Sequence, residues 1–144
     1  MATDYAEFNA LKRNKMDGSG TAASSNGDGE FFANAVLDDK ELQAGLSGIN
    51  PKFGEFCTRV AGEAWGLPLI DQKTKAFISI AVDVVNQSQF GPGTPFGAHV
   101  NMAMKQGATR AEIEEVLLFM CVYGGFNKAA GCFGALNELL GSPE

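Results

Sequence analysis

Between Thr94 and Phe126 the chain carries two full sets of helix start and stop signals, and a single glycine separates them. This stretch limits the choice of fold more than any other. Thr94 followed by Pro95 reads as an N-cap and a first-turn proline, a position where the missing amide hydrogen costs nothing. The helix is expected to run to about Gln106, with Gly107 supplying the left-handed residue that ends it. Thr109-Arg110-Ala111-Glu112 then forms a capping box: the threonine hydroxyl accepts from the amide of 112, and the Glu112 carboxylate returns to the amide of 109. Ile113, Val116, Leu117, Met120 and Cys121 follow at helical spacing, with Glu112, Glu114 and Glu115 off that stripe. Two helices joined by a tight corner are expected, and the sole histidine, His99, lies on the first.

The rest of the chain reads in the same terms. Residues 4–16 have the pattern of one short helix, and residues 17–29, DGSGTAASSNGDG, read as a flexible linker. An N-terminal arm and linker over 1–29 would therefore precede one helical domain over 30–144. Residues 30–48 look helical with a break near Leu37-Asp38. Asn50-Pro51 opens a helix whose Phe53, Phe56, Cys57, Val60, Ala61 and Ala64 make one broad apolar face. Glu55, Arg59 and Glu63 form a row beside that face. Gly66 and Pro68 stop this helix, and Asp71 caps the next. Residues 72–88 are apolar almost all round from Ala76 to Val85, as a buried central helix would be. Asp83 inside that run must face a polar cavity or find a donor, because a bare buried carboxylate is too costly to keep. After the loop at 88–93 and the organising pair, a last helix at about 127–140 carries Ala129, Ala130, Gly131, Gly134 and Ala135. Small residues at that spacing predict a close helix–helix approach. The fold class is all-α, a compact bundle of about six helices.

With 144 residues, 45% of them hydrophobic, one domain can bury a real core. The net charge of −6 argues against nucleic acid and anionic membranes as partners. No apolar run approaches the ~20 residues needed to span a bilayer, and the first residues lack a signal-peptide core. Cys57, Cys121 and Cys132 make no CxxC pair and read as buried thiols in a reducing, cytoplasmic setting. One histidine and no cysteine pair make a metal site an unexpected feature.

His99, Gly107, Thr109, Glu112, Ile113, Glu115, Val116, Leu117 and the run Tyr123-Gly124-Gly125-Phe126 resemble the carboxymuconolactone decarboxylase family, which has the alkylhydroperoxidase D-like fold. Gly62-Glu63-Ala64-Trp65-Gly66, with Pro68 and Asp71 to Lys75, is similar to the family's upstream segment, so the likeness covers about residues 50–140. It implies an all-helical subunit in a trimer or hexamer, pockets formed partly between subunits, and no cofactor. The chain also departs from the pattern. Where the peroxidase branch has its CxxC pair the sequence reads Pro92 and Pro95, and disulfide chemistry requires a thiolate with a second thiol in reach. A peroxidase of that kind is thus excluded. Leu67 and Asn101 stand where the decarboxylase branch is expected to have arginines, and Asn127 where it has proline. Arginine forks bind carboxylates bidentately, so their loss points to a less anionic substrate than a carboxymuconolactone, or to a different reaction on the same scaffold.

Decarboxylation without a cofactor needs donors for a developing oxyanion and a positioned acid–base group. Enolisation, isomerisation or ring closure needs the same parts. His99 is the acid–base candidate, since its ordinary pKa lies near neutrality. It falls at the flank of the Phe96, Val100, Ala103 stripe. Glu63, at the family's glutamate position, either orients or relays protons to His99 or forms an exposed ladder with Arg59. Asp83 and Asn101 are candidates to hydrogen-bond substrate, and Trp65, Phe90, Phe96, Tyr123 and Phe126 to wall an apolar pocket. The expected activity is a cofactor-independent lyase or isomerase acting on a small cyclic enolisable carbonyl or lactone. The alternative is a catalytically silent oligomeric bundle that only holds a ligand. A weaker third reading gives Cys121 and Cys132 a redox role.

Overall fold

The structure, a computed structural model, describes residues 31–88 and 94–143. The helix expected at 4–16, the linker at 17–29, and Phe90 lie outside these residues. Among the described residues there are six helices and no strand: α1 Lys40–Ile49, α2 Pro51–Trp65, α3 Gln72–Asn86, α4 Pro95–Lys105, α5 Arg110–Tyr123 and α6 Phe126–Leu140.

The starts and stops follow the sequence signals. Asp39, Asn50, Asp71 and Thr94 each accept an amide hydrogen from the first turn of the helix they precede. Gly107 ends the α4 corner with φ +85°, a backbone state that L side chains rarely adopt. Both halves of the capping box at Thr109 and Glu112 are formed. The 30–48 segment differs from expectation. Residues 31–39 are turns tied down by Asn34, whose side chain accepts from the amides of Val36 and Leu37 and donates to the Gly62 carbonyl. Helix starts only at Lys40, where the Asp39 cap allows it, and it runs through Gly45 and Gly48.

The core lies between α3, α4, α5 and α6. Each gives one stripe to it: Ala76, Ile80 and Val84; Phe96, Val100 and Ala103; Ile113, Leu117 and Met120; Ala129, Cys132 and Leu136. Spacings of three and four residues put each set on one helical face. α3 is central and packs on the other three. The α1–α2 hairpin stands beside this body, joined through a smaller cluster of Ala35, Val36 and Met102 with Leu42, Ala61 and Trp65. Gly54 permits its close packing, since a Cβ there would come within 2.5 Å of the Ser47 backbone. A Cβ at Gly62 would run into the Leu37 side chain.

Three sequence expectations are corrected. The broad apolar face of α2 is not covered by the described residues: Phe53, Phe56 and Val60 are exposed, and α2 buries only its glycines. α3 is buried on one side alone, with Ile78, Val82 and Val85 open. The small residues of α6 divide between two faces: Ala129 is fully buried and Ala135 packs against the core, whereas Gly131 and Gly134 face outward and a Cβ at Gly134 would meet nothing. The buried side of α6 is the neighbouring stripe of Ala129, Cys132 and Leu136.

Candidate functional site

α3 and α4 pack side by side across a short connection. In such a hairpin, positions equally far from the turn face each other. Asp83 and His99 stand symmetrically about it, three residues before the end of α3 and four after the start of α4. Asp83 is only 4% exposed, and its Oδ2 lies 2.5 Å from Nδ1 of His99. Of the two outcomes its burial allowed, Asp83 therefore finds a donor. An ionised carboxylate only accepts, so Nδ1 carries the hydrogen. In the neutral ring this leaves Nε2 with a free lone pair, and Nε2 bonds nothing among the described residues. The imidazole side chain is 26% exposed, so the ring is held at Nδ1 and is partly accessible to solvent.

Cys132 of α6 forms part of the wall behind this pair. Burial pushes its thiol up to about 11, and the charge of Asp83 adds to the effect. The group remains a neutral thiol at physiological pH and offers no nucleophile. All three cysteines are unpaired. Among the described residues no set of three or more His, Cys, Asp or Glu side chains is placed to hold a metal ion, and no helix is long and apolar enough to cross a membrane.

The other sequence candidates are spread out. Glu63 is exposed and forms neither an ion pair nor a hydrogen bond with His99 within the chain. The carboxylate that meets the imidazole is Asp83, sixteen residues before it. Phe96 has no exposed surface and holds α4 in the core instead of lining an opening. Trp65 is half-buried between the two apolar clusters, and its carbonyl accepts from Gln72 and Lys75. Asn101 is exposed, most of half a turn around α4 from His99. Tyr123 and Phe126 lie open on the surface at the α5–α6 corner, and Tyr123 packs on Phe119. Glu112 serves its cap and an ion pair to Lys73. The Asp83–His99 pairing was the feature that sequence reasoning missed. The hairpin symmetry about the 87–94 connection, read with the burial cost of Asp83, carried the signal.

A sequence model of the carboxymuconolactone decarboxylase family matches residues 51–138. A 4-carboxymuconolactone decarboxylase from Acinetobacter baylyi is 28% identical over 94 residues, which is 62% of this chain and 67% of that protein. No solved structure matches the chain.

Proposed function

Because the chain belongs to the carboxymuconolactone decarboxylase family, we propose that it is a cofactor-independent lyase or isomerase of small, cyclic, enolisable carbonyl compounds or lactones, with His99 as its acid–base group. The observation that carries this reading is the Asp83–His99 pair, in which Nε2 has no partner among the described residues. In a decarboxylation, the carbon–carbon bond to the carboxylate breaks and its electron pair passes into the conjugated carbonyl. Imidazolium at His99 then delivers the Nε2 proton to carbon, and solvent restores it. In an isomerisation, Nε2 takes a proton from the carbon beside the carbonyl and returns it at another. Asp83 holds the ring in one tautomer and stabilises its charged form, so it acts as a positioning residue. This is the task that the sequence pattern gave to Glu63.

With Leu67 and Asn101 in place of two arginines, the substrate is taken to carry fewer carboxylates than 4-carboxymuconolactone. The three unpaired thiols suit a reducing, cytoplasmic setting. The apolar side chains exposed on α2, α3 and α5 suit a homo-oligomer.

The test is carbon dioxide release and solvent-deuterium incorporation, measured with 4-carboxymuconolactone and with less carboxylated lactones. His99→Ala should lower turnover by about 10²–10⁴-fold while the helical circular dichroism is retained. Asp83→Asn should lower turnover and change KM little. A folded His99→Ala variant that turns over as fast as the parent would overturn the assignment. Melting shifts with these lactones and no product would favour the silent ligand-binding bundle.

A further inference from the structure

In the run Ala76–Val85 at the centre of α3 only two side chains are polar, Ser79 and Asp83, and they lie four positions apart. Side chains at that spacing stand one above the other on the same face of a helix, with about 6 Å between their Cβ atoms. Asp83 meets His99. Ser79 is half-buried and bonds no other element among the described residues: its hydroxyl donates to the Lys75 carbonyl of its own helix, 2.9 Å away. Such a bond adds little, because a helix carbonyl already has an amide partner, and alanine would suit the position better on helix propensity alone.

Asp83 shows the matching deficit. Its side chain is 5% exposed, and of its two carboxylate oxygens only Oδ2 has a partner among the described residues. An ionised carboxylate accepts up to about four hydrogen bonds, and an oxygen buried with none is destabilising. Helical side chains lean toward the N-terminus of their helix, so the Asp83 carboxylate lies over the turn that carries Ser79. Ser88, the next hydroxyl, is past the end of α3 on the opposite side. Cys132 of α6 is near enough to feel the Asp83 charge, but a thiol is a weak donor.

We propose that Ser79 is a positioning residue for the acid–base pair, acting through one water molecule held between its hydroxyl and Oδ1 of Asp83. The water donates one hydrogen to Oδ1 and the other to the serine oxygen, which keeps its own hydrogen on the Lys75 carbonyl. Two such bonds span about 5–6 Å, the separation that side chains four apart present, and the partial exposure of Ser79 gives water a way in. With both oxygens engaged, the carboxylate is held against turning away from the ring, and Oδ2 stays on Nδ1 of His99. The inference rests on the acid–base role given to His99, and it adds a hydroxyl to a site otherwise made of two side chains.

The test compares Ser79→Ala, Ser79→Thr and Ser79→Val; threonine keeps the hydroxyl, and valine has its shape without it. The alanine and valine variants should lose about tenfold in kcat with KM nearly unchanged, while the threonine variant stays within about twofold of the parent. The titratable groups placed against Asp83 are His99 and Cys132, with the Lys73–Glu112 pair at the far end of α3. Loss of the water leaves the carboxylate charge less shared, so the acid limb of the kcat/KM profile should move to higher pH in the alanine and valine variants alone. His99 is the sole histidine, so NMR reads its Nδ1 proton without any turnover. That proton should exchange with solvent several-fold faster in the alanine and valine variants than in the parent. A crystal structure should show a water within hydrogen-bonding distance of both Ser79 Oγ and Asp83 Oδ1. Parental kinetics and exchange in Ser79→Ala overturn the proposal, as does a threonine variant no better than valine, or the lack of such a water. Where no lactone reacts, or His99→Ala is as fast as the parent, it is the acid–base reading that fails, and the exchange rates and the water alone decide for Ser79.

Discussion

At the scale of single residues, one buried carboxylate decides what two other side chains can do. Asp83 fixes the imidazole of His99 through Nδ1, and Nε2 is left without a hydrogen-bond partner among the described residues. The same charge, added to burial, holds the thiol of Cys132 at about 11. A cysteine with its pKa raised this far above the ordinary 9.0 stays protonated below it, so it reacts slowly with electrophiles. In the native protein at pH 7.5, Cys132 should resist maleimide labelling and mild peroxide, and it should react at once in denaturant. Peptide mass mapping reads this directly, and rapid native labelling of Cys132 would show that the helices packed on α6 do not enclose it. The redox reading of Cys121 with Cys132 loses its chemical basis if the thiol behaves in this way.

At the scale of elements, the α4–α5 corner is the best specified part of the fold. Gly107 turns the chain and Thr109 caps α5. The Glu112 carboxylate serves both the Thr109 amide and the Lys73 ammonium of α3. The hydrogen bond from Lys73, then that from the Thr109 amide, hold the Glu112 pKa below its ordinary 4.5. A group whose folded pKa is depressed stabilises the fold above its unfolded pKa, and that contribution fades as the pH falls through the folded value. Glu112→Gln should therefore destabilise the protein at pH 7, by about 1 kcal/mol or less because the pair is partly exposed. The difference should close below the folded pKa. Denaturant melts at pH 7 and at acid pH check this, and an unchanged gap between parent and variant would refute it. The corner is local, which is why it was legible: a capping box and a left-handed glycine are specified within a few residues. Of the α6 small-residue stripe only Ala129 and Ala135 meet the core, because spacing shows that a helix can approach but not which face the packing of α5, α3 and α4 selects.

At the scale of the whole molecule, a hairpin is held to a body by few contacts. Asp39 is nearly buried; it caps α1 through the Leu42 amide and takes a hydrogen bond from Lys105 at the end of α4. Burial opposes the charge on Lys105, but its bond and charge interaction with Asp39 outweigh that and raise its pKa above the usual 10.5. A raised lysine pKa stabilises the fold below its unfolded value, and that stabilisation is lost as the pH rises through the folded value. Lys105→Met would leave Asp39 buried without its cation, at a cost of about 3–5 kcal/mol. The loss should appear as faster proteolysis of the 31–49 segment at neutral pH. Equal cleavage of parent and variant would show that the Met102 and Trp65 packing and the hydrogen bonds of Gln72 and Gln106 to residues 32–35 secure the hairpin without Lys105.

The sequence by itself determined where α2 to α6 begin and end and which family the chain joins, because caps, prolines and apolar periods act over one or two turns; the start of α1 it did not. It also marked His99 and the oddity of Asp83. Only the tertiary structure decided that these two meet, that Glu63 stands apart from them within the chain, and that α2 and α3 each keep an apolar side uncovered by the described residues. Those outcomes depend on which helical faces pack together, and face pairing is settled by contacts between residues far apart in the chain, where local propensity carries no information.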